Sequence, residues 1–97
     1  MELQIKAIHF DIAEKLEAFV EKKIDKLARR FDTISDVEVN LTLVKPETAM
    51  NKEAGIKVSV PNCNDLFASK TADSFEEAFD LALEAIERQL EKIKGRN

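Results

Sequence analysis

The segment from residue 12 to residue 31 carries its apolar side chains on one side and separates its charges by sign when it is drawn as a helix. At about 100° per residue, the apolar side chains fall within roughly 140° of arc. They are Ile12, Leu16, Phe19, Val20, Ile24, Leu27 and Phe31. Glu14, Glu17, Glu21 and Asp25 line one flank of this stripe, and Lys15, Lys22, Lys26 and Arg29 line the other. A helix with one apolar face packs against a second layer, so this segment predicts a layered domain.

The basic flank of this helix is not explained by helix stability. Lys22 and Lys26 are four positions apart and Arg29 follows three later, so these like charges repel by a few tenths of a kcal/mol per pair. The helix dipole favours cations in the last turn only, which leaves Lys15, Lys22 and Lys23 without that explanation. A polyanionic partner would explain the cluster.

Composition narrows the class of protein. A chain of 97 residues with 44% hydrophobic and 35% charged residues suits one domain with a modest core. The net charge of −4 argues against a nonspecific nucleic-acid coat. Distant charges are screened beyond about 8 Å, however, so a local basic patch still permits a specific RNA site. Neither an apolar run of about 18 residues nor a signal peptide is present, which predicts a cytoplasmic protein with no membrane contact.

Four segments alternate apolar and polar residues with the period of a half-buried strand. The first ends near Ile8, the second is terminated by Lys45-Pro46, and residues 46–53 are predicted to form a loop. The fourth strand has a lysine at its third inward position. The inward residues are Leu3, Ile5 and Ala7; Val37, Val39, Leu41 and Leu43; Ile56, Val58 and Val60; and Leu66, Ala68 and Lys70.

Two helices have capping-box starts, in which a side-chain oxygen caps the first turn and an acid three residues later reaches back. Asp11 with Glu14 starts the first helix, and Ser74 with Glu77 starts a second that ends near Gly95. The second helix repeats the division of faces. Its apolar stripe is Phe75, Phe79, Ala82, Ile86, Leu90 and Ile93, its acidic flank is Glu77, Asp80, Glu84, Glu87 and Glu91, and its bases are Arg88, Lys92 and Arg96.

These elements predict an α+β fold of order β-α-β-β-β-α, in which a four-stranded sheet has two parallel helices packed on one face. Residues 1–97 are expected to form one domain. In this arrangement the basic flank of one helix can face the acidic flank of the other. An inter-helix charge ladder with no ligand is therefore the alternative to a polyanion-binding surface.

The order of elements and several residue runs resemble the short ribosome hibernation promoting factors, including the ribosome-associated inhibitor proteins. The resemblance covers the whole chain and is carried by Phe10-Asp11-Ile12, by the run from Lys26 to Asp32, and by the run from Glu87 to Lys94. The final helix departs from the family at its start, where Ser74 replaces a capping Asp and Glu76 replaces a Tyr. The chain also has more acid on this helix than the family pattern implies.

The resemblance implies that the chain binds the small ribosomal subunit and its ribosomal RNA in the channel for messenger and transfer RNA, and inhibits translation under stress or in stationary phase. The RNA-binding bases that the resemblance implies are those at positions that match bases of the family's helices. Bases that lie beside these positions are predicted to bind RNA as well. The matching residues are Lys23, Lys26, Arg29, Arg88, Lys92 and Lys94, and the added neighbours are Lys22, Arg30, Lys70 and Arg96. The long forms of the family carry a further C-terminal domain, which a chain ending at Asn97 is expected to lack.

Catalysis has little support in the sequence. His9 is the only histidine, there are two glycines, and neither a nucleophile triad nor a metal-ligand spacing appears. We therefore expect a monomeric binding protein with no enzyme activity, cofactor, metal or small-molecule substrate, and assign Cys63 no role. The alternatives are a structured-RNA-binding domain without ribosome specificity, and a protein-interaction module that uses the exposed sheet face around Phe67.

Overall fold

The described residues form four strands and two helices in the order that the sequence predicts. The computed structural model describes residues 1–44 and 49–94. The elements are β1 (Glu2–Ile8), α1 (Glu14–Arg30), β2 (Asp36–Leu43), β3 (Lys52–Ser59), β4 (Leu66–Ala72) and α2 (Phe75–Lys94). The α+β class and the β-α-β-β-β-α order are confirmed.

The strands form one sheet in the spatial order β1-β2-β3-β4. The crossover through α1 makes β1 and β2 parallel, with Leu3 opposite Val37, and two hairpins make the remaining pairs antiparallel. Inward residues of the strands and the apolar stripes of both helices share one core, in which Val39, Ile56 and Phe79 are fully buried. Both helices therefore cover the same face of the sheet, and the polar positions of the strands form the other face.

The two helices run in the same direction, as predicted. The rings of Phe19 and Phe79 meet edge to face with centroids 6.0 Å apart. Further along both helices, Arg30 Nη1 lies 3.0 Å from Glu87 Oε2. Because the contacts advance along both helices together, α1 and α2 are parallel neighbours.

The predicted Ser74 cap of α2 is confirmed, and the predicted Asp11 cap of α1 is wrong. The backbone N–H of Glu77 donates to Ser74 Oγ at 3.1 Å. In contrast, α1 begins at Glu14 after Ala13, which has an extended backbone and no side-chain cap. His9 has a positive φ of 69°, and the Phe10 ring stacks on Phe75 with centroids 4.4 Å apart. This packing coincides with a non-helical path up to Ala13, so the predicted Asp11 cap does not form.

The third strand is longer than predicted, and the end of the predicted loop is wrong. β3 starts at Lys52, which pairs with Leu43, while Glu53 pairs with Thr42. Backbone pairing with β2 extends the strand through two charged residues that carry no apolar period. Lys45-Pro46, which were predicted to end the second strand, lie outside the described residues, and β2 ends at Leu43.

Candidate nucleic-acid interface

The outer surface of the helix layer carries two sets of exposed bases. Lys22 and Lys26 lie on α1, and Arg88 and Lys92 lie on α2. Within residues 1–44 and 49–94, no carboxylate oxygen lies within 4.0 Å of the charged groups of these four side chains. Cations without an internal partner are the groups that can pair with phosphate at the least cost to the fold. We call these four residues the free bases.

The inter-helix charge ladder also forms, and two of the predicted RNA-binding bases are ion-paired within it. Lys23 Nζ lies 3.5 Å from Asp80 Oδ1 and 5.3 Å from the centroid of the Phe19 ring. Arg30 pairs with Glu87 at 3.0 Å and also donates to Glu91. Lys23 and Arg30 therefore link α1 to the acidic flank of α2 and are partly neutralised by it.

The axial offset between the helices determines which bases of α1 form ion pairs with the acidic flank of α2. Arg30 and Glu87 are 57 positions apart in the chain, which is also the separation of Lys23 and Asp80. These two ion pairs are about two helical turns apart on each helix. Lys26 falls between them and lines a groove of about 200 Å³ with the uncharged Leu83 and with Glu87, whose carboxylate pairs with Arg30. Lys26 is thus left free because α2 presents an apolar side chain at that level.

Two other predicted bases have weaker internal contacts. Arg29 Nη2 lies 2.7 Å from Asp25 Oδ2, one turn back on the same helix, and its side chain is 77% exposed. Such an exposed pair contributes about 0.3 to 0.5 kcal/mol, so a phosphate can replace the carboxylate at little cost. Lys94 Nζ lies 5.8 Å from the centroid of the Phe31 ring and is exposed. Both side chains remain accessible to an anionic partner.

Lys70 lies on a strand, whereas the other predicted bases within the described residues lie on the two helices. Lys70 lies on β4 between Ala68 and Ala72, and it is exposed although both neighbours on its face are buried. Because β4 is an edge strand, a long side chain at an inward position can reach solvent there. Arg96 lies outside the described residues.

Phe67 is exposed on the open sheet face, as the interaction-module alternative requires. Its side chain is 57% exposed, yet a Cβ placed on Gly55 would lie 3.5 Å from two of its ring carbons. The ring thus covers the backbone of the neighbouring strand at a position that has no side chain of its own. This packing accounts for an aromatic residue here without any partner.

The arrangement as a whole favours contact with phosphates along two separate lines. The free bases of α1 and those of α2 are divided by the carboxylates of Asp80, Glu87 and Glu91. A flat anionic surface would meet these acids, whereas a folded nucleic acid can place separate backbone segments on the two lines. The sequence shows both acidic flanks but not which bases they neutralise, because that depends on the helix offset.

Two further properties of the described residues concern membrane spans and the single cysteine. None of their helices combines the length and apolar character needed to cross a bilayer. Cys63 is a free, exposed thiol in the turn between β3 and β4.

Two solved structures have the same architecture. A ribosomal subunit interface protein from Coxiella burnetii matches with a TM-score of 0.85 and 24% identity, over 98% of this chain and 99% of that one. The N-terminal domain of Protein Y from Thermus thermophilus matches with a TM-score of 0.78 and 21% identity, over 96% and 99% of the two chains. At these identities the likeness establishes the fold.

Sequence relatives establish the family. The ribosome hibernation promotion factor of Bacillus subtilis is 32% identical over 95 residues, which are 97% of this chain and 49% of that protein. The ribosome hibernation promoting factor of Azotobacter vinelandii is 32% identical over 94 residues, 97% of this chain and 83% of that protein. The chain thus spans about half the length of the first relative and most of the second. Residues 3–97 match the family model described as sigma 54 modulation protein / S30EA ribosomal protein, which confirms the resemblance drawn from the sequence, and the chain belongs to this family.

Proposed function

We propose that this protein binds the small ribosomal subunit through the outer surface of its helices and inhibits translation under stress or in stationary phase. The observation that carries the proposal is the set of free bases, Lys22, Lys26, Arg88 and Lys92, exposed on one face of a protein whose net charge is −4. The names of the relatives point to the ribosome as the partner. The site in the channel for messenger and transfer RNA follows from the family resemblance.

The geometry supports different roles for the predicted bases. The free bases and Arg29 supply the main phosphate contacts, because binding RNA costs them little or no internal ion pairing. Lys23 and Arg30 hold α1 against α2 and contribute to RNA binding through their charge. Lys70, Lys94 and Arg96 are proposed to make peripheral contacts. The protein acts as a cytoplasmic monomer and a binding protein, without catalysis or a cofactor.

Sedimentation with purified ribosomal particles tests the proposal. The protein is expected to co-sediment with small subunits more strongly than with large subunits or free ribosomal RNA. The log of its affinity is expected to fall linearly with the log of the salt concentration, by close to one unit of slope per phosphate contact. Equal binding to all three would support a structured-RNA-binding domain without ribosome specificity. Binding to none would leave the protein-interaction module.

A combined substitution tests the free bases directly. The variant Lys22→Gln/Lys26→Gln/Arg88→Gln removes three positive charges that have no internal carboxylate partner within the described residues. Affinity for the small subunit and inhibition of cell-free translation are expected to fall by orders of magnitude. The control Lys6→Gln/Lys57→Gln removes two positive charges from the open sheet face, where Lys6 pairs with Glu38 and Lys57 with Asp65. Normal binding by the first variant would overturn the proposed interface.

A further inference from the structure

The outer edge of β1 is an unpaired sheet edge within the described residues. β1 pairs only with β2, and within the described residues its other edge has no backbone partner outside the sheet. At the opposite edge of the sheet, Gln89 Nε2 of α2 donates to the backbone oxygen of Phe67 at 3.1 Å. Sheet edges are commonly protected by proline, bulges or inward-pointing charges. The inward residues of β1 are Leu3, Ile5 and Ala7, so its inward face has none of these devices, while its outward face carries the charged residues Glu2 and Lys6.

Apolar surface is left uncovered beside this edge. Val37 and Val39, which lie opposite Leu3 and Ile5 on β2, are 3% and 0% exposed. Leu3 and Ile5 are only half-buried, because the helix layer does not extend fully over β1. They line a cavity of about 320 Å³ together with Glu17 and Glu21 of α1. A second cavity of about 380 Å³ shares Leu3 and Glu21 with the first and extends the groove to Met1, Lys22 and Asp25.

The wall of this groove is acidic. Glu17, Glu21 and Asp25 lie at successive turns of α1, and Asp25 is paired with Arg29. Glu17 and Glu21 have no cation within 4.0 Å in the part of the chain that the structure describes. Residues four positions apart on a helix are about 6 Å apart along its axis, and alternate residues of a strand are about 6.7 Å apart. Two basic residues on one face of an added strand would therefore meet the two carboxylates.

We propose that this groove binds an extended, basic protein segment, which adds to the outer edge of β1 as a fifth strand. Its backbone pairs with β1, while its apolar side chains cover Leu3 and Ile5 and its bases reach Glu17 and Glu21. The cavity lined by Glu17 and Glu21 contains none of the bases proposed to contact RNA, whereas Lys22 borders the adjoining cavity. A second copy of the chain fits poorly, because pairing of two β1 edges would bring two acidic flanks together.

A designed peptide tests this proposal with the intact chain. The probe is the nine-residue peptide Thr-Val-Thr-Arg-Thr-Arg-Thr-Val-Thr, which has valine and arginine on one face of a strand. It is expected to bind saturably at low salt, with amide NMR shifts confined to β1 and the adjoining side of α1. A peptide whose central threonine is replaced by proline loses a backbone donor and is expected to bind at least about tenfold more weakly.

Charge variants distinguish this groove from other acidic surfaces. Glu17→Gln/Glu21→Gln is expected to weaken binding of the first peptide roughly 5- to 20-fold, as two exposed charge pairs are lost. The matched control Glu76→Gln/Glu84→Gln removes two carboxylates from α2 and should change affinity less than about twofold. The proposal is overturned by absence of saturable binding, by equal losses in the two variants, or by equal binding of the proline peptide. Self-association through β1 that the peptide displaces would assign the edge to a second copy instead and also overturn it.

Discussion

Arg30→Gln is expected to destabilise the protein, although the residue was first identified as an RNA-binding base. Its guanidinium joins α1 to Glu87 and Glu91 of α2, with side-chain exposures of 52%, 33% and 53% for the three residues. Exposed ion pairs contribute about 0.2 to 1 kcal/mol each, so the two pairs together contribute about 1 kcal/mol. For a domain of this size, that loss lowers the melting temperature by about 4 to 8 °C.

Lys26→Gln is the matched control for this prediction. It makes the same charge change four residues earlier in the same groove, at a side chain that has no ion pair within the described residues. Its effect on the free energy of unfolding is expected to stay below about 0.5 kcal/mol. Thermal unfolding followed by circular dichroism measures both variants at low salt and at 1 M salt. The difference between them should shrink at 1 M salt, where the screening length is about 3 Å.

Binding to the small subunit is expected to rank the two variants in the opposite order, at a temperature where both are folded. Lys26→Gln removes a free base, whereas Arg30→Gln removes a base already shared with two carboxylates. Equal melting temperatures at low salt would refute the ladder assignment. Loss of binding by Arg30→Gln alone would refute the division of roles between free and ladder bases.

Four further substitutions test the caps, the open sheet face and the salt dependence. Ser74→Ala should lower the free energy of unfolding by about 1 kcal/mol in urea titrations, because the α2 cap is lost. Asp11→Ala should change the free energy of unfolding by less than about 0.5 kcal/mol. Equal losses in the two variants would contradict the caps described. Gly55→Ala should leave the free energy of unfolding unchanged or raise it by about 0.5 to 1 kcal/mol, as measured by thermal unfolding. The new Cβ would lie 3.5 Å from the Phe67 ring, which is an ordinary contact distance. A marked loss of stability would show a clash. Lys92→Gln should reduce the salt slope of small-subunit binding by about one unit, and an unchanged slope would exclude a phosphate contact there.

The local patterns of the sequence predicted most of the fold. Alternation from Val37 to Leu43 gives a strand with buried inward residues, and the apolar stripes place both helices on one core. Ser74 caps α2 because the cap needs only residues within one turn. These features depend on interactions between near neighbours in the chain, so they are visible before the tertiary structure is known.

Only the tertiary structure decided the features that depend on contacts between distant elements. Phe10 stacks on Phe75 beside a non-helical segment that lacks the predicted Asp11 cap, and pairing with β2 extends β3 to Lys52. The division of the bases into free and ladder residues has the same origin. Whether a base on α1 meets a carboxylate or Leu83 depends on the axial offset of the helices, and packing in the shared core determines that offset. A sequence shows the sign and spacing of charges along each helix, but their partners across the layer depend on how the two helices pack.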